Sequence, residues 1–547
     1  MESSLSHWFT RTLAAAYHHP PVETPTAALE QCGIDPSPFP WLSNISPASY
    51  PLRGDRLEQW PDLEQRQRSA KRTHGQYFTP EVLVTHLLQT LAPLPTSGRI
   101  LDPACGAGGF LVPLAGHLAD VQPDTFLDRL YGYDIDPDAL LICLGRLLSR
   151  FPHRGVPTLE QRDFLLSPPE DQFRLIIGNP PYRVNLPEAT RTALAQRYTT
   201  TEGEKDLYTF FLEAGIGALT HDGDLVMLTS HTYLVNHQCQ RIRDHLFRNH
   251  QARSLYFLPF RFFPMAPGVI PVITHVSSSR ATEQALQIYD QYSLTNGWNS
   301  RHAVKPELLR SSTGLAQIRL SPDARQLFDQ MQQEHQPLGN LARVGVGIQE
   351  SVTRGRQISR FVRATKDSDA DVPVLRGREI DQFKVQWGGN YLTYGPHLTY
   401  PGPEEIFREP KILYQNLRNE SLPLRLVAAL DTDGFFPKNS LSFIARPTPP
   451  FTLEFLVGLL NSPLVNAWFA GRYYSFHITV TQVRSIPIPT ATEPLRHEIE
   501  HLVRQLKNTE LETREGERLQ SHLSELVIRC YFPGEPIARI RHVLGLG

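Results

Sequence analysis

Residues 100–111 read Ile-Leu-Asp-Pro-Ala-Cys-Gly-Ala-Gly-Gly-Phe-Leu, and this stretch decides the fold. An apolar run, an acid and a glycine-rich turn that leads into further apolar residues are typical of a strand, a loop and a helix in succession. Glycines at 106, 108 and 109 let the backbone approach a ligand closely, as in nucleotide-binding turns. The stretch is not the Gly-x-Gly-x-x-Gly dinucleotide fingerprint, and Asp102 before the loop suits a cationic ligand better than a pyrophosphate.

Two more acids end the next predicted strands. Asp134 follows the strand predicted near 129–134, and Asp163 follows a short β-like stretch near 157–162. An acid at the end of the second strand is where such folds bind ribose hydroxyls. One aspartate at a strand end is usually a turn or helix cap, but three on successive strands favour a ligand site.

Residues 179–182 read Asn-Pro-Pro-Tyr, directly after the apolar run 174–178. An exocyclic amine on a conjugated ring or an amide is a poor nucleophile, so a site that alkylates it needs acceptors for its N–H groups. Asn179 offers a side-chain carbonyl and Pro180 a backbone carbonyl, while the two prolines restrict the loop and Tyr182 offers a flat face. The tetrapeptide therefore predicts a site that holds a planar amine for alkylation.

Five motifs occur in order along the chain: Gly-Gln-Tyr-Phe-Thr-Pro at 75–80, the glycine-rich loop, Tyr-Asp-Ile-Asp-Pro at 133–137, Arg-Asp-Phe at 162–164, and Asn-Pro-Pro-Tyr. This set closely resembles the gamma-class, Taq-type N6-adenine DNA methyltransferases of restriction–modification systems. The resemblance covers residues 73–280 in motif order and the remainder more loosely. It implies S-adenosyl-L-methionine as the cofactor, double-stranded DNA as the substrate, and an adenine that is flipped out of the duplex.

The resemblance also implies roles for individual residues. The methionine end of the cofactor would contact Tyr77, Thr79 and Pro80, and its methionine and ribose would be surrounded by Asp102, Ala104, Gly106 and Gly108. Asp134 would bind the ribose hydroxyls, and Ile135 would pack on the adenine. Asp163 would accept from the adenine amine, and Phe164 would lie against the adenine ring. The target adenine would be held by Asn179, Pro180 and Tyr182. An aromatic residue after the fifth strand would stack on the other face of the base, and Phe263 fits that place with Phe262 as its rival.

The predicted fold class is α/β, with a doubly wound, seven-stranded, Rossmann-like methyltransferase sheet, a mixed α+β target-recognition domain and helical terminal segments. Strands are expected near 99–102, 129–134, 157–162, 174–178, 224–230, 252–258 and 269–276. The predicted organisation is an N-terminal helical extension at 1–72, the catalytic domain at 73–290, a connector at 291–336, the recognition domain at 337–490 and a C-terminal helical segment at 491–547.

Composition places few limits on the partner. The net charge of −2 gives no general indication of nucleic-acid binding, but local basic residues do, and the candidate DNA contacts are Arg354, Arg356, Arg360, Arg376 and Arg378. Five scattered cysteines without a Cys-x-x-Cys pair argue against a zinc site and for a reducing compartment. We expect a cytoplasmic protein without a metal or a membrane span, with a cognate restriction endonuclease or defence-system subunits as further partners.

Three alternatives are open at this point. The first is a methyltransferase of another planar amine, such as a glutamine in a translation factor or an RNA guanine; those enzymes lack the leading motif at 75–80. The second is a fused enzyme that also cuts DNA. Glu409-Pro410-Lys411 has the Glu-x-Lys spacing of a nuclease motif, but it lies in a segment that resembles the recognition domains of Taq-type enzymes, so we interpret it as structural. The third is a non-catalytic DNA-recognition subunit, which the intact residues Asp102, Asn179 and Tyr182 disfavour.

Overall fold

The chain forms two compact units, Met1–Gly314 and Leu315–Gly547. The computed structural model describes residues 2–45, 49–51, 79–121, 124–182, 186–200, 206–259, 262–263, 270–282, 284–310, 318, 320–350, 361–418, 424–473 and 477–546. The first unit carries the nine-stranded sheet and the five motifs on which the family resemblance rests, so it positions the candidate site.

A nine-stranded mixed sheet is the centre of the first unit. Its strands in chain order are β1 (Ile100–Asp102), β2 (Leu130–Asp134), β3 (Thr158–Gln161), β4 (Phe173–Gly178), β5 (Leu219–Ser230), β6 (His250–Phe257), β7 (Pro271–Arg280), β8 (Leu286–Ser293) and β9 (Gly297–Val304). Their order across the sheet is β9-β8-β6-β7-β5-β4-β1-β2-β3. Strands β3, β2, β1, β4 and β5 run parallel, and β7 pairs antiparallel with both β5 and β6.

The helices of the first unit connect and cover these strands. They are α1 (Leu5–Tyr17), α2 (Pro25–Gln31), α3 (Glu81–Leu91), α4 (Leu111–Val121), α5 (Pro137–Arg150), α6 (Glu188–Arg197) and α7 (Leu207–Gly217), with short helical segments at Thr232–Val235 and Gln240–Asp244. Helix α5 begins where the Asp136 side chain accepts from the Asp138 N–H and Pro137 occupies the first turn, a regular helix start.

The N-terminal segment shares the core of the sheet. The apolar side chains of α1 pack so closely on α5 that a Cβ added at Gly145 would lie 2.9 Å from the Trp8 ring. The Trp41 indole N–H donates to the Leu159 carbonyl at 2.8 Å, which ties the segment to β3. Short strands at Glu2–Ser4 and Ser49–Pro51 pair with each other. Residues 5–45 therefore pack against the sheet and are not purely helical.

All seven predicted strands are present, and the sheet continues with β8 and β9 beyond them. The expected connector at 291–336 is thus partly strand, because β9 pairs along its whole length with β8. The signal for this hairpin lies in Asn296-Gly297, where Gly297 has φ +69°. Asn-Gly between two strand-like runs is typical of a tight hairpin turn. The expected connector also contains the helix Pro322–Glu334, which belongs to the second unit.

The second unit contains a four-stranded antiparallel sheet of Arg343–Val346, Leu441–Ala445, Lys411–Gln415 and Ala428–Asp431. A second sheet has the order Val362–Arg363, Tyr391–Thr393, Asp371–Leu375, Phe436–Pro437. Two-residue strands pair at Ile380–Asp381 with Lys384–Val385 and at Gln336–Pro337 with Pro487–Ile488. Its helices are Pro322–Glu334, Leu338–Leu341, Glu404–Arg408, Leu453–Leu460, Pro463–Arg472, Val480–Arg484, Glu493–Asn508, Arg514–Tyr531 and Ile537–Leu544.

The two apolar helices Leu453–Leu460 and Pro463–Arg472 lie in the core of the second unit. Within the described ranges, no single helix is long and apolar enough to cross a membrane. These two helices meet that test only as a pair, by length and composition, and they are bent at 64° to each other.

Candidate active site

The order of the strands creates a switch point between β1 and β4. From β1 the chain moves outward through β2 and β3, and it then returns to the other side of β1 with β4 and continues to β5. In open parallel sheets, ligands bind outside the carboxyl ends of the strands at such a point. Asp102 is the last residue of β1, and Gly178 with Asn179 ends β4, so these motifs face the same crevice.

Asp102 is a buried carboxylate without a cationic partner among its described contacts. It is 1% exposed, and its Oδ1 accepts from the Ala104 N–H at 3.1 Å. Burial raises the pKa of Asp102 to about 8, and the nearby negative charge of Asp134 adds to this rise while the Ala104 N–H opposes it. A carboxylate in this condition is suited to bind a cation, because a positive charge would relieve the cost of burying it.

Asp134 fixes the glycine-rich loop. Its Oδ2 accepts from the Gly106 N–H at 2.8 Å, and its Oδ1 accepts from the Asp136 N–H at 2.9 Å. Burial raises the pKa of Asp134 to about 6, and these backbone N–H groups limit the rise. Each carboxylate oxygen has two lone pairs, so both can accept a further bond from a ribose hydroxyl.

The loop itself depends on glycine at two positions. Gly106 and Gly108 have φ values of +51° and +85°, a region that other residues rarely adopt. At Gly108 there is also no space, since an added Cβ would lie 2.9 Å from the Cys143 Sγ on α5. The backbone can therefore turn tightly beneath a ligand at this edge of the sheet.

Asn179 connects the Asn-Pro-Pro-Tyr loop to the segment before α3. Its Nδ2 donates to the Thr79 Oγ1 at 3.1 Å, and Thr79 is buried. Thr79 in turn lies against the glycine-rich loop, because a Cβ added at Gly109 would be 3.8 Å from the Thr79 Cβ. Gly178 lies against Asp102, with an added Cβ only 2.5 Å from the Asp102 Oδ1. The structure thus brings four of the five motifs, at 79–80, 102–109, 133–137 and 178–182, into one site.

Tyr182 and Pro180 are buried beside this site. The Tyr182 hydroxyl donates to the Leu228 carbonyl at 3.4 Å, and its ring lies edge-on to Tyr208 of α7 at 6.0 Å. The Tyr182 carbonyl accepts from the Leu207 N–H at 3.3 Å, so the end of the motif is joined to the start of α7.

The residues predicted at the adenine end of the cofactor have two different environments. Ile135 is 51% exposed beside Asp134. Asp163 is exposed, and its Oδ1 accepts from the N–H groups of Leu165 and Leu166 at 2.9 and 3.1 Å. Phe164 is 1% exposed and stacks on Phe211 of α7 at 5.7 Å, so its ring belongs to the core in this structure.

Phe263 is buried in the core of the first unit, edge-on to Phe262 at 5.1 Å. Its neighbour Phe262 is half-buried and meets Tyr292 at 5.6 Å. Nothing in these contacts distinguishes the two as the residue that stacks on a base.

Several predicted residues are placed elsewhere or not described. Tyr77, Arg354, Arg356 and Arg360 lie outside the described residues. Arg376 and Arg378 belong to the second unit, where Arg378 is exposed and Arg376 is half-buried. The Arg376 N–H donates to the Glu379 carboxylate at 2.7 Å, which holds the turn that carries both arginines.

Sequence reasoning missed Arg146, a buried residue of α5 that braces the loop. Its Nη1 donates to the Ala107 carbonyl at 2.7 Å, and its Nη2 forms an ion pair with Glu81 in the first turn of α3. Burial lowers the pKa of Arg146, and Glu81 opposes this. An arginine on a helix has no sequence signal for such a role, because both partners are distant along the chain. Among the described residues, no group of three or more His, Cys, Asp or Glu side chains is arranged to hold a metal ion.

Comparison with known proteins agrees with this geometry. Residues 62–304 match the family described as N-6 DNA Methylase, and residues 372–488 match the TaqI-like C-terminal specificity domain. The chain is 25% identical over 437 residues to the Type II methyltransferase M.TthHB8I of Thermus thermophilus, covering 76% of this chain and 91% of that protein. It is 24% identical over 341 residues to the Type II methyltransferase M.PaeR7I of Pseudomonas aeruginosa, covering 53% of this chain and 57% of that protein.

A solved structure shows a similar fold. The Type IIL restriction-modification enzyme MmeI, in complex with DNA, superposes with a TM-score of 0.50 at 13% identity, covering 88% of this chain and 76% of that one.

Proposed function

Because the chain belongs to the Taq-type DNA methyltransferases of restriction–modification systems, we propose that it transfers a methyl group from S-adenosyl-L-methionine to N6 of an adenine in a short DNA sequence. The observation that carries the proposal is the shared crevice at the β1–β4 switch point. There the buried Asp102 carboxylate lies against Gly178, and Asn179 is bonded to Thr79 beside the glycine-rich loop.

The residues present fit the cofactor. Asp102, whose pKa is raised by burial, would bind the ammonium group of the methionine part, which supplies the missing positive charge. Asp134 would accept from the ribose hydroxyls while it holds the Gly106 N–H. Ile135, exposed beside it, would pack on the adenine ring, and Asp163 would accept from the adenine amine. When bound, S-adenosyl-L-methionine supplies a methyl group on a sulfonium, which is already electrophilic.

The chain's own residues orient the target amine. Asn179 Oδ1 and the Pro180 carbonyl would accept from the two amine hydrogens, which directs the nitrogen lone pair out of conjugation. The same acceptors would stabilise the positive charge that develops on nitrogen during transfer. Catalysis is then mainly orientation for in-line transfer. A general base is not needed beforehand, because the amine proton becomes acidic only after the methyl group has moved.

Reaching the amine requires the adenine to leave the base stack, at a cost of a few kcal/mol. Tyr182 would take one face of the base, and Phe263 or Phe262 the other. In this structure Tyr182 is 3% exposed and bonded to Leu228, so its ring must become accessible when the base enters. The methylation would protect DNA from a cognate restriction endonuclease or from other defence-system subunits.

The test is expression in a methylation-deficient host, followed by long-read sequencing that maps modified bases. We expect N6-methyladenine at one short motif with the wild-type chain and none with Asn179→Ala. Asn296→Ala is the matched control, since Asn296 is exposed in the turn between β8 and β9. Normal methylation by Asn179→Ala would refute the proposed role of this residue. No modified adenine with the wild-type chain would count against the proposed reaction.

A further inference from the structure

The carboxyl end of α6 is bound to the turn that follows β3. The Arg197 Nη1 donates to the carbonyls of Leu165 and Leu166 at 3.2 and 2.8 Å. The Tyr198 hydroxyl donates to the Leu165 carbonyl at 2.9 Å, and Tyr198 is buried. Three hydrogen bonds thus join two segments that are more than thirty positions apart in sequence.

The same turn is bound from the inside by Asp163. Its Oδ1 accepts from the N–H groups of Leu165 and Leu166, and its carbonyl accepts from the Ser167 N–H at 2.9 Å. The N–H groups of Leu165 and Leu166 therefore donate to Asp163, and the carbonyls of the same two residues accept from Arg197 and Tyr198. Within the described part of the chain, both hydrogen bonds of the Asp163 carboxylate fall on Oδ1, so Oδ2 can accept from a ligand.

The clamp formed by Arg197 and Tyr198 is itself anchored on α7. The Glu213 carboxylate accepts from the N–H groups of Thr199 and Thr200, both at 3.1 Å, and from the Thr200 hydroxyl at 2.5 Å. The Tyr198 ring meets Phe210 of the same helix at 5.9 Å. An arginine at an exposed helix end is most often solvated, but this one begins a run of four residues that are all bonded to the protein.

Helix α7 also contacts both ends of the candidate active site. Its Phe211 stacks on Phe164, the neighbour of Asp163, and its Tyr208 meets Tyr182 of the Asn-Pro-Pro-Tyr motif. The clamp is thus supported by the same helix that supports the catalytic loop. Such support is what holds a binding group in one geometry.

On the basis of the proposed function, we propose that Arg197 and Tyr198 are positioning residues for the cofactor. By binding the carbonyls of Leu165 and Leu166 they hold the turn that presents the Asp163 carboxylate to the adenine amine. They act only through the Asp163 carboxylate, which would bind the adenine amine. Their effect on affinity should therefore depend on whether the base of the cofactor carries that amine. Removing them should weaken the recognition of the amine more than it weakens binding in general.

The experiment is calorimetric binding of two ligands, S-adenosylhomocysteine and its inosine analogue, in which a carbonyl oxygen replaces the adenine amine. Wild type should prefer the adenine ligand, because a carboxylate accepts from an amine and repels a carbonyl oxygen. Arg197→Ala should bind S-adenosylhomocysteine about tenfold more weakly and Tyr198→Phe about threefold more weakly, with little change for the inosine analogue. Arg197→Lys should keep most of the affinity, since both bonds of Arg197 come from one nitrogen and an ammonium group can replace it.

Arg191→Ala is the matched control, because Arg191 is exposed on the same helix and bonds only to Glu188 and Leu186 in the described part of the chain. Equal losses for both ligands, or no loss in either variant, would overturn the positioning role. If Arg197→Ala does not fold, as judged by its thermal unfolding, Tyr198→Phe decides the question because it removes only a hydroxyl. A wild-type chain that binds neither ligand would instead refute the proposed cofactor, and the inference with it.

Discussion

Replacing Gly178 by alanine should damage cofactor binding while leaving the fold intact. Gly178 ends β4 with an extended backbone, so alanine adds no backbone strain. Its Cβ would, however, lie 2.5 Å from the Asp102 Oδ1 and 3.1 Å from the Asp102 Cγ. The 2.5 Å distance is too short for any contact with a carbon atom and the 3.1 Å distance is tight, and Asp102 is a short, buried side chain that cannot move far. The carboxylate must therefore turn away from its position.

The size of the effect follows from this displacement. Overfilling a packed site costs about 1–3 kcal/mol. The Asp102 bond to the Ala104 N–H would also be weakened, and a hydrogen bond to a charged group contributes about 1.5–3 kcal/mol. Because about 1.4 kcal/mol corresponds to tenfold in affinity, we expect S-adenosylhomocysteine to bind about 10- to 100-fold more weakly.

The assay is titration calorimetry with S-adenosylhomocysteine, accompanied by thermal unfolding. Gly217→Ala is the control, since Gly217 is exposed at the end of α7 and an added Cβ meets nothing within 4 Å. In an Asp102→Ala background the clash is absent, so Gly178→Ala should then have little further effect. Binding of the ligand by Gly178→Ala with wild-type affinity would refute the reasoning, as would an undiminished effect in the Asp102→Ala background.

The remaining predictions concern charges that the fold buries. The pKa of Asp102 is raised to about 8, and in the proposed function its ionised form binds the ammonium group. Affinity for S-adenosylhomocysteine should therefore rise up to about tenfold from pH 6 to pH 7 with release of a proton, and Asp102→Asn should lose this slope in calorimetry. The same raised pKa means that Asp102 contributes to the stability of the ligand-free fold at low pH, and that this contribution is lost progressively as the pH rises from about 4 to about 8. Arg146→Met should lower the free energy of unfolding by about 1–3 kcal/mol in urea titrations, since it removes the donor to the Ala107 carbonyl, while the half-exposed Glu81 keeps Arg150; a change below about 1 kcal/mol would contradict the brace. Lys411→Met should destabilise the second unit by about 3–5 kcal/mol in urea titrations, because Asp431, which is 1% exposed, loses its cationic partner and keeps only the N–H groups of Asp433 and Phe435; adding Asp431→Asn, which removes the charge and keeps an acceptor for these groups, should recover part of the loss.

Much of the site could be predicted from the sequence because its chemistry lies in short motifs at strand ends. Asp102 and Asn179 follow apolar runs that could only be buried strands, and parallel strands bring their carboxyl ends to one edge. That both would reach the same crevice depends on the strand order, which the family resemblance implied. The structure adds that the close approach of the two motifs requires glycine at 178.

Of the features that the sequence analysis did not predict, one had a local signal and the others had none. The Asn-Gly turn of β8 and β9 was a local signal that could have extended the sheet to Val304. The burial of Phe164 has no such local signal, because an aromatic residue after a strand has the same sequence pattern whether it stacks on a ligand or on Phe211. Long-range pairs such as Arg146 with Glu81 leave no pattern at all, since any exposed helix has arginines and glutamates.

Helix α7 joins the turn of Asp163 to the Asn-Pro-Pro-Tyr loop, so we expect these two parts of the candidate site to move together. Helix α7 contacts Phe164, next to Asp163, and Tyr182 in the Asn-Pro-Pro-Tyr loop. Through Glu213 it also binds Thr199, directly after the clamp of Arg197 and Tyr198. Phe211, Tyr208 and Glu213 lie within two turns of one helix, so a shift of that helix would move both the turn of Asp163 and Tyr182, the residues proposed to hold the cofactor's adenine and the target base. In the proposed function Tyr182, which is buried, becomes accessible when a flipped base enters, and we expect its movement to be transmitted through α7 to the turn that carries Asp163. Cofactor and DNA are therefore expected to bind with a coupling free energy, which by linkage is the same measured from either ligand. Equal affinity for S-adenosylhomocysteine with and without the methylated DNA motif would show that α7 does not transmit such a shift.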